Sequence, residues 1–338
     1  MTGTVLFAII DTLSILFIGD IMQHRQQLHS ALMPGADSMM SASYDYSSYF
    51  RHVRRHIDAA DFTVANMEFC LGGPPYTGYP SFSAPESIAE AAAEAGIDLF
   101  LCANNHICDR GRRGLASTFE KYDRIGIPVT GAYRDSASRS VGDPFITNIG
   151  GIKTAFINFT YGTNGIEVPE PFCVNMMDRT SVLHSMKKAE AAGAEIIIAL
   201  PHWGDEYSTE ADRTQREWAR FLLDNGADAV IGSHPHVVQA VEFPTVYSLG
   251  NFVSNMSLRN TELGLMYRLD IIVTTYGPFI TGGEAIPVWC SRAGGYEDGY
   301  TVLPVREFMD KGSEFKNQDN YLRMTDTYNR LKSLFENE

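Results

Sequence analysis

Two nearly uninterrupted apolar runs, separated by one amphipathic segment and each leading into histidine, constrain this chain more than any other feature. The first, IIIALPHWGDEY, begins at Ile196, and the second, DAVIGSHPHVVQ, ends at Gln239. A strand that is apolar almost throughout must be covered on both faces, as parallel strands in layered α/β proteins are. Between the runs, residues 209–225 carry Trp218, Phe221 and Leu222 at helical spacing and stop at Gly226. The unit reads strand, crossover helix, strand, which places the two strands parallel and close together in one sheet. Such sheets bind ligands at the carboxyl ends of their strands. His202, His234 and His236 all fall there. Pro235 restricts His234 to an extended backbone, from which both rings of the pair are expected to reach one centre. Three imidazoles at one sheet edge point to a metal, because neutral imidazole is its commonest protein ligand.

Other strand ends deliver matching groups. Residues 13–18 (LSILFI) form a buried strand followed at once by Gly19-Asp20, and residues 62–65 (FTVA) run into Asn66-Met67-Glu68. A third strand over 98–102 leads to Asn104, Asn105, His106 and Asp109, and a short one over 245–248 leads to Asn251. If a helical turn starts near His106, Asp109 lies three residues on, on the same face, and holds the imidazole in one tautomer. His106 is then placed to act as a general acid. The polar residues at strand ends are thus Asp20, Asn66, Glu68, Asn105, His106, His202, His234, His236 and Asn251, with Asn66 and Asn251 expected to face the substrate. Carboxylate, amide and imidazole together suit one or two divalent ions such as Mn, Fe or Zn. Two such ions roughly 3.5–4 Å apart activate water and stabilise both oxygens of an in-line displacement.

The remaining chain supplies a frame. A helix is expected over 49–60, and the Gly- and Pro-rich segment 72–87 is expected to form a lid or substrate rim. The pattern PFITNIGGIKTAFINF predicts a hairpin turning at Gly150-Gly151, hence a second sheet. Residues 265–274 and 279–292 read as paired strands turning at 276–278, and 319–335 as a polar helix packed on the outside. No repeat or linker divides the sequence, so one domain over 1–338 is expected. The net charge of −14, from 27 basic and 41 acidic residues, argues against nucleic acid or an anionic membrane as a general partner. A small or polymeric anionic substrate in a local basic pocket stays compatible with it. Five cysteines without CxxC pairs read as reduced thiols, which favours the cytoplasm. The apolar N-terminal run has no basic residue before it and is split by Asp11, so no membrane span is expected.

In order along the chain, Ile18-Gly19-Asp20-Ile21-Met22, Ala65-Asn66-Met67-Glu68, Ala103-Asn104-Asn105-His106 with Asp109, His202-Trp203-Gly204, Gly232-Ser233-His234-Pro235-His236 and Tyr247-Ser248-Leu249-Gly250-Asn251-Phe252 resemble the signatures of the CapA family of capsule or poly-γ-glutamate synthesis proteins. That family is related to calcineurin-like metallophosphoesterases, and the resemblance implies a four-layered α/β/β/α fold. It further implies that Asp20 and His236 bind a first metal, that Glu68 bridges, and that Asn105, His202 and His234 bind a second. His106 matches the histidine that assists the leaving group, oriented by Asp109. Phosphoesterases carry a histidine where this chain has Met22, so the first ion lacks a ligand unless His24 bends back. The expected function is a metal-dependent, phosphoesterase-like hydrolase of capsule or poly-γ-glutamate polymer metabolism. The alternative is a non-catalytic accessory that keeps the pocket for fold or ligand.

Overall fold

Side-chain alternation along the strands decides the architecture. The computed structural model describes residues 9–336, so the start of the apolar N-terminal run lies outside the described residues. In chain order the strands are β1 (Ile9–Ile21), β2 (Phe62–Met67), β3 (Leu99–Leu101), β4 (Val129–Thr130), β5 (Ala132–Tyr133), β6 (Phe145–Ile149), β7 (Ile152–Thr160) and β8 (Cys173–Val174). They continue as β9 (Ile196–His202), β10 (Ala229–Ile231), β11 (Val241–Glu242), β12 (Thr245–Val246), β13 (Asn251–Val253), β14 (Leu263–Thr274), β15 (Gly277–Ser291) and β16 (Thr301–Pro304). One sheet runs β16-β15-β14-β1-β2-β3-β4 with β13 also paired to β1, the other runs β11-β12-β10-β9-β7-β6, and β5 with β8 forms a small ribbon.

Every second residue of these strands enters a different core. Leu13, Ile15 and Phe17 of β1 share one apolar cluster with Ile196, Ile198 and Leu200 of β9. Leu16 and Ile18 face a second cluster with Ile88, Leu115 and Phe119 from helices on the outer face of the first sheet. Ile197 and Ala199 face a third with Val182, Met186, Trp218 and Leu222 from helices on the outer face of the second sheet. Period-two strands with both faces apolar thus produce three buried interfaces between four layers, the expected α/β/β/α sandwich.

Strand β9, the helix Arg213–Asp224 and β10 form the expected crossover, with β9 and β10 parallel. The helix begins four residues later than its apolar pattern, because the Asp212 side chain accepts from the Gln215 N–H and caps it there. The hairpin at Gly150-Gly151 joins β6 to β7 as expected.

Three expectations are corrected. Residues 49–60 do not form one helix. A 3-10 turn at Ser47–Tyr49 and a short helix at Arg54–Asp58 replace it. The aromatic rings decide this, since Tyr46 and Tyr49 pack edge to face at 5.2 Å while Phe50 stacks on Phe252 at 5.6 Å. The turn between β14 and β15 falls at residues 275–276, so Gly277 and Pro278 already belong to β15. The last helix, Gln318–Leu331, does not simply coat the exterior: Met324 and Leu331 are buried in the cluster between the sheets. No helix among the described residues is long and apolar enough to cross a membrane.

Strand β1 brings its carboxyl end against β13, pairing Asp20 with Asn251, and the Asp20 N–H donates to the Gly250 carbonyl at 3.0 Å. A Cβ on Gly19 would run into that carbonyl and into Leu249. Gly19→Ala is therefore expected to lose about 1–3 kcal/mol, read as a lowered urea midpoint with unchanged slope. An unchanged midpoint would show that the two strands part without cost.

Candidate metal centre

Parallel pairing aligns the carboxyl ends of several strands. Asp20 is in register with Asn66, Thr160 with His202, and His202 bridges to Ser233. Asp20, Glu68, Asn105, His202, His234 and His236 consequently gather from two sheets at one buried edge, none more than 2% exposed.

Their polar atoms form a graded arrangement. Asp20 Oδ1 accepts from Asn66 Nδ2 at 2.7 Å, and Oδ2 accepts weakly from the His234 N–H at 3.4 Å. His236 Nδ1 lies 3.0 Å from Asn251 Oδ1, which can only accept, so Nδ1 carries the proton and Nε2 presents its lone pair. That Nε2 is 3.6 Å from Glu68 Oε1 and has no hydrogen-bond partner. His202 Nε2 faces Asn105 Oδ1 at 2.9 Å and Glu68 Oε1 at 3.7 Å, with Ser233 Oγ at 3.0 Å behind it on Nδ1. Both Glu68 oxygens and His234 Nδ1 are likewise buried without a partner.

Charge balance explains why these atoms are left open. Burial holds His202 and His234 well below the usual imidazole range, and the neighbouring histidines add to the shift. Both rings are neutral, so the approach of His202 to Glu68 is no ion pair. Burial first, then the Asp20 carboxylate, pushes Glu68 well above the usual carboxylate range. Buried polar atoms without partners are costly unless something joins them. Ligand atoms of Glu68, His202 and His234 lie within 4.8 Å of one another, as do those of Asp20, Glu68 and His236. Glu68 belongs to both groups. The orphaned atoms and the oxygen and nitrogen donor set fit a divalent cation.

Beside this cluster, His106 Nδ1 donates to Asp109 Oδ2 at 2.8 Å, and the two side chains are 5% and 2% exposed. Residues 104–110 are turns, and the following helix starts at Gly111, but the three-residue spacing still brings the pair together. The 72–87 segment docks on it: the Phe82 N–H donates to Asp109 Oδ2 at 2.8 Å, and the Phe82 ring meets His106 edge-on at 4.6 Å.

Several expectations change here. Pro235 does not hold His234 extended; His234 has φ 101° and His236 φ 59°. Such left-handed backbone costs of order 1–3 kcal/mol per residue and persists where surrounding contacts over-determine it, here the Asp20 carboxylate under the His234 N–H. Asn66 and Asn251, expected to face the substrate, both have protein partners. Asn66 is held between Asp20 and Asn104, and Asn251 between His236 and the Thr261 carbonyl. His24 does not bend back: it caps the helix Arg25–Ala31, its Nδ1 lies 3.3 Å from the Asn255 N–H, and it joins neither ligand group. Met22 is buried in the outer cluster.

Two residues at the mouth escaped sequence reasoning. Tyr161 packs on His234 with ring centres 4.5 Å apart, and Glu206 groups with His234 and His236. The only signal for Glu206 was an acid four residues beyond a strand-end histidine.

Paired sheets between helical layers, with carboxylate, amide and imidazole groups gathered at the strand ends, define a calcineurin-like phosphoesterase fold. The calcineurin-like phosphoesterase YfkN of Bacillus subtilis superposes with a TM-score of 0.52 at 14% identity, over 95% of this chain and 97% of that one. A 5'-nucleotidase structure from Staphylococcus aureus gives 0.51 at 15% identity, over 95% of this chain and 59% of that one. The chain belongs to the family described as bacterial capsule synthesis protein PGA_cap, whose profile matches residues 14–256. It is 27% identical over 267 residues to the capsule biosynthesis protein CapA of Bacillus anthracis, covering 75% of this chain and 62% of that one. It is also 27% identical over 275 residues to the PGA biosynthesis protein CapA of Bacillus subtilis, covering 75% and 66%. The match thus spans less than two thirds of either relative's length.

Proposed function

We propose that the protein is a metal-dependent hydrolase of phosphoesterase type, serving the metabolism of an anionic capsule polymer such as poly-γ-glutamate. The observation that carries this reading is the set of buried, unpartnered ligand atoms on Glu68, His234 and His236 beside a His106 ring already oriented by Asp109. One or two divalent ions, with Mn, Fe and Zn the favoured candidates, would be held by Asp20, Glu68, Asn105, His202, His234 and His236. When bound, they would supply Lewis acidity toward a phosphoryl oxygen and activation of water.

The chain's own groups complete the chemistry. Asn66 and the His234 N–H fix the Asp20 carboxylate, and Asn251 fixes the His236 tautomer. With Nδ1–H held by Asp109, His106 would give a proton to a leaving oxygen from Nε2–H of its imidazolium form and return to the neutral Nδ1–H tautomer. Phe82 covers that ring and limits access of water. A cleft of about 730 Å³ beyond His24 is lined by Arg25, His29 and Arg292, which suits an anionic substrate. His24 links it to the centre, since its ring packs on Phe82 at 5.3 Å and its Nδ1 meets the Asn255 N–H in the cleft wall. Burial holds His24 down at about 4, so it adds no charge at neutral pH.

One observation favours a second reading, a non-catalytic accessory: Met22 is turned into the core and leaves the Asp20 group with three protein ligands. Elemental analysis of chelator-free protein, followed by assay on an aryl phosphate diester, separates the two. Bound metal with turnover supports the hydrolase, and bound metal without turnover on any phosphate ester supports the accessory. Absence of stoichiometric metal would sink both.

A further inference from the structure

His234 Nδ1 and His236 Nε2 are buried and unpartnered, and the one group of potential ligands that contains both residues includes a carboxylate not read from the strand ends. Among the described residues, Glu206 is the carboxylate outside the sequence-derived set that brings a ligand atom within 4.8 Å of both. We infer that Glu206 is a further metal ligand, reaching from the solvent side an ion that His234 and His236 also touch. The inference rests on the metal reading above and adds a ligand to it.

The backbone holds Glu206 there. The Trp203 N–H donates to the Ser233 carbonyl at 3.0 Å and the Tyr207 N–H to the Pro235 carbonyl at 2.8 Å, so Glu206 sits on a short loop tied at both ends to the histidine turn. Tyr207 takes φ 67° in making its contact. Just beyond, Gln239 Nε2 donates to the Ser208 carbonyl at 2.9 Å, and Gln215 Nε2 donates to Gln239 Oε1 at 2.8 Å. A surface glutamate on a free loop has no such tether.

Coordination number makes the same demand. The groups Glu68-His202-His234 and Asp20-Glu68-His236 each offer three protein donors, whereas borderline divalent ions take four to six, and Glu206 shares one histidine with each group. Neither nearby alternative serves: Met22 packs in the outer core with its sulphur 3.8 Å from Ser254 Oγ, and His24 belongs to no ligand group. A flexible exposed carboxylate can add its oxygen to a site whose other donors are rigid and buried.

The test titrates metal-stripped full-length protein with Zn²⁺ and with Mn²⁺ by calorimetry, comparing the parent with Glu206→Gln and Asp205→Asn. Asp205 is the neighbouring exposed acid, so its replacement removes the same charge from the same loop. Glu206→Gln is expected to weaken binding by about 10- to 100-fold, with the metal-free melting temperature unchanged and Asp205→Asn binding as the parent does. Parental affinity and stoichiometry in Glu206→Gln would overturn the assignment while leaving the centre intact. Equal weakening by both variants would also overturn it, since the effect would then be loop charge. A parent that binds neither ion removes the centre and this ligand together.

Discussion

Glu68→Gln is expected to give a folded protein that no longer holds a divalent ion, with affinity lowered by at least about 100-fold. The same change should not weaken the metal-free fold. Glu68 is wholly buried, both its oxygens lack partners, and burial with Asp20 raises its pKa well above 4.5. A group whose folded pKa is raised contributes stability that is complete below the unfolded value and is lost as pH rises toward the folded one. The metal-free parent should therefore lose stability from about pH 4.5 upward, by at most about 1.4 kcal/mol for each pH unit of that window. Glutamine mimics the protonated acid and does not titrate, so the variant should gain on the parent as pH rises. Melting curves in chelator from about pH 5 to 8 measure the gap, and calorimetry measures the lost binding. A variant that unfolds more readily than the parent at every pH would mean that Glu68 is part of the frame and not a ligand. Added metal should reverse the order, because binding displaces the Glu68 proton and stabilises only the parent.

His106→Ala is expected to lower turnover of a phosphate diester by about 10²–10⁴-fold while metal content is retained. His106 joins none of the ligand groups, and its Nδ1 is committed to Asp109 at 2.8 Å. The loss should depend on the leaving group. A nitrophenolate departs without a proton, whereas an alkoxide needs one, so the variant should be impaired far more on an alkyl ester than on the nitrophenyl ester. Asp109→Asn should fall between parent and His106→Ala, because it removes the tautomer control but keeps the imidazole. Equal loss on both esters, or loss of metal, would remove the acid role from His106.

The four-layer frame was legible because its strands are apolar on both faces, and period-two burial leaves few other arrangements for Ile196, Ile197 and Ile198. The ligand cluster was legible for a related reason: a parallel sheet places the residues after its strands at one edge, so Asp20, Glu68, His202 and the His234 and His236 pair could be expected together. What the sequence hid depends on tertiary contacts. Residues 49–60 have helical composition, but buried Tyr46, Tyr49 and Phe50 pull the chain into a tighter path. Asn66 and Asn251 have the chemistry of substrate contacts, and only the register of β1 with β2 and β13 reveals that Asp20 lies beside both. Pro235 suggested an extended His234, but the Asp20 carboxylate under its N–H favours the left-handed turn. Glu206 enters through a loop whose path no local pattern announces.

The six residues proposed to hold metal divide evenly by origin, and this has a mechanical consequence. Asp20, Glu68 and Asn105 lie at or just beyond the ends of strands of the first sheet, and His202, His234 and His236 at or just beyond those of the second. An ion held by both sets would act as a rivet across the seam between two β-layers that meet at that edge through a few polar contacts, such as Asn105 with His202 and Ala103 with Asn158, above the apolar packing of the interface. Amide hydrogen exchange at the tips of β1, β2, β9 and β10 should accordingly slow together on loading, as one opening unit, while the helical outer faces exchange as before.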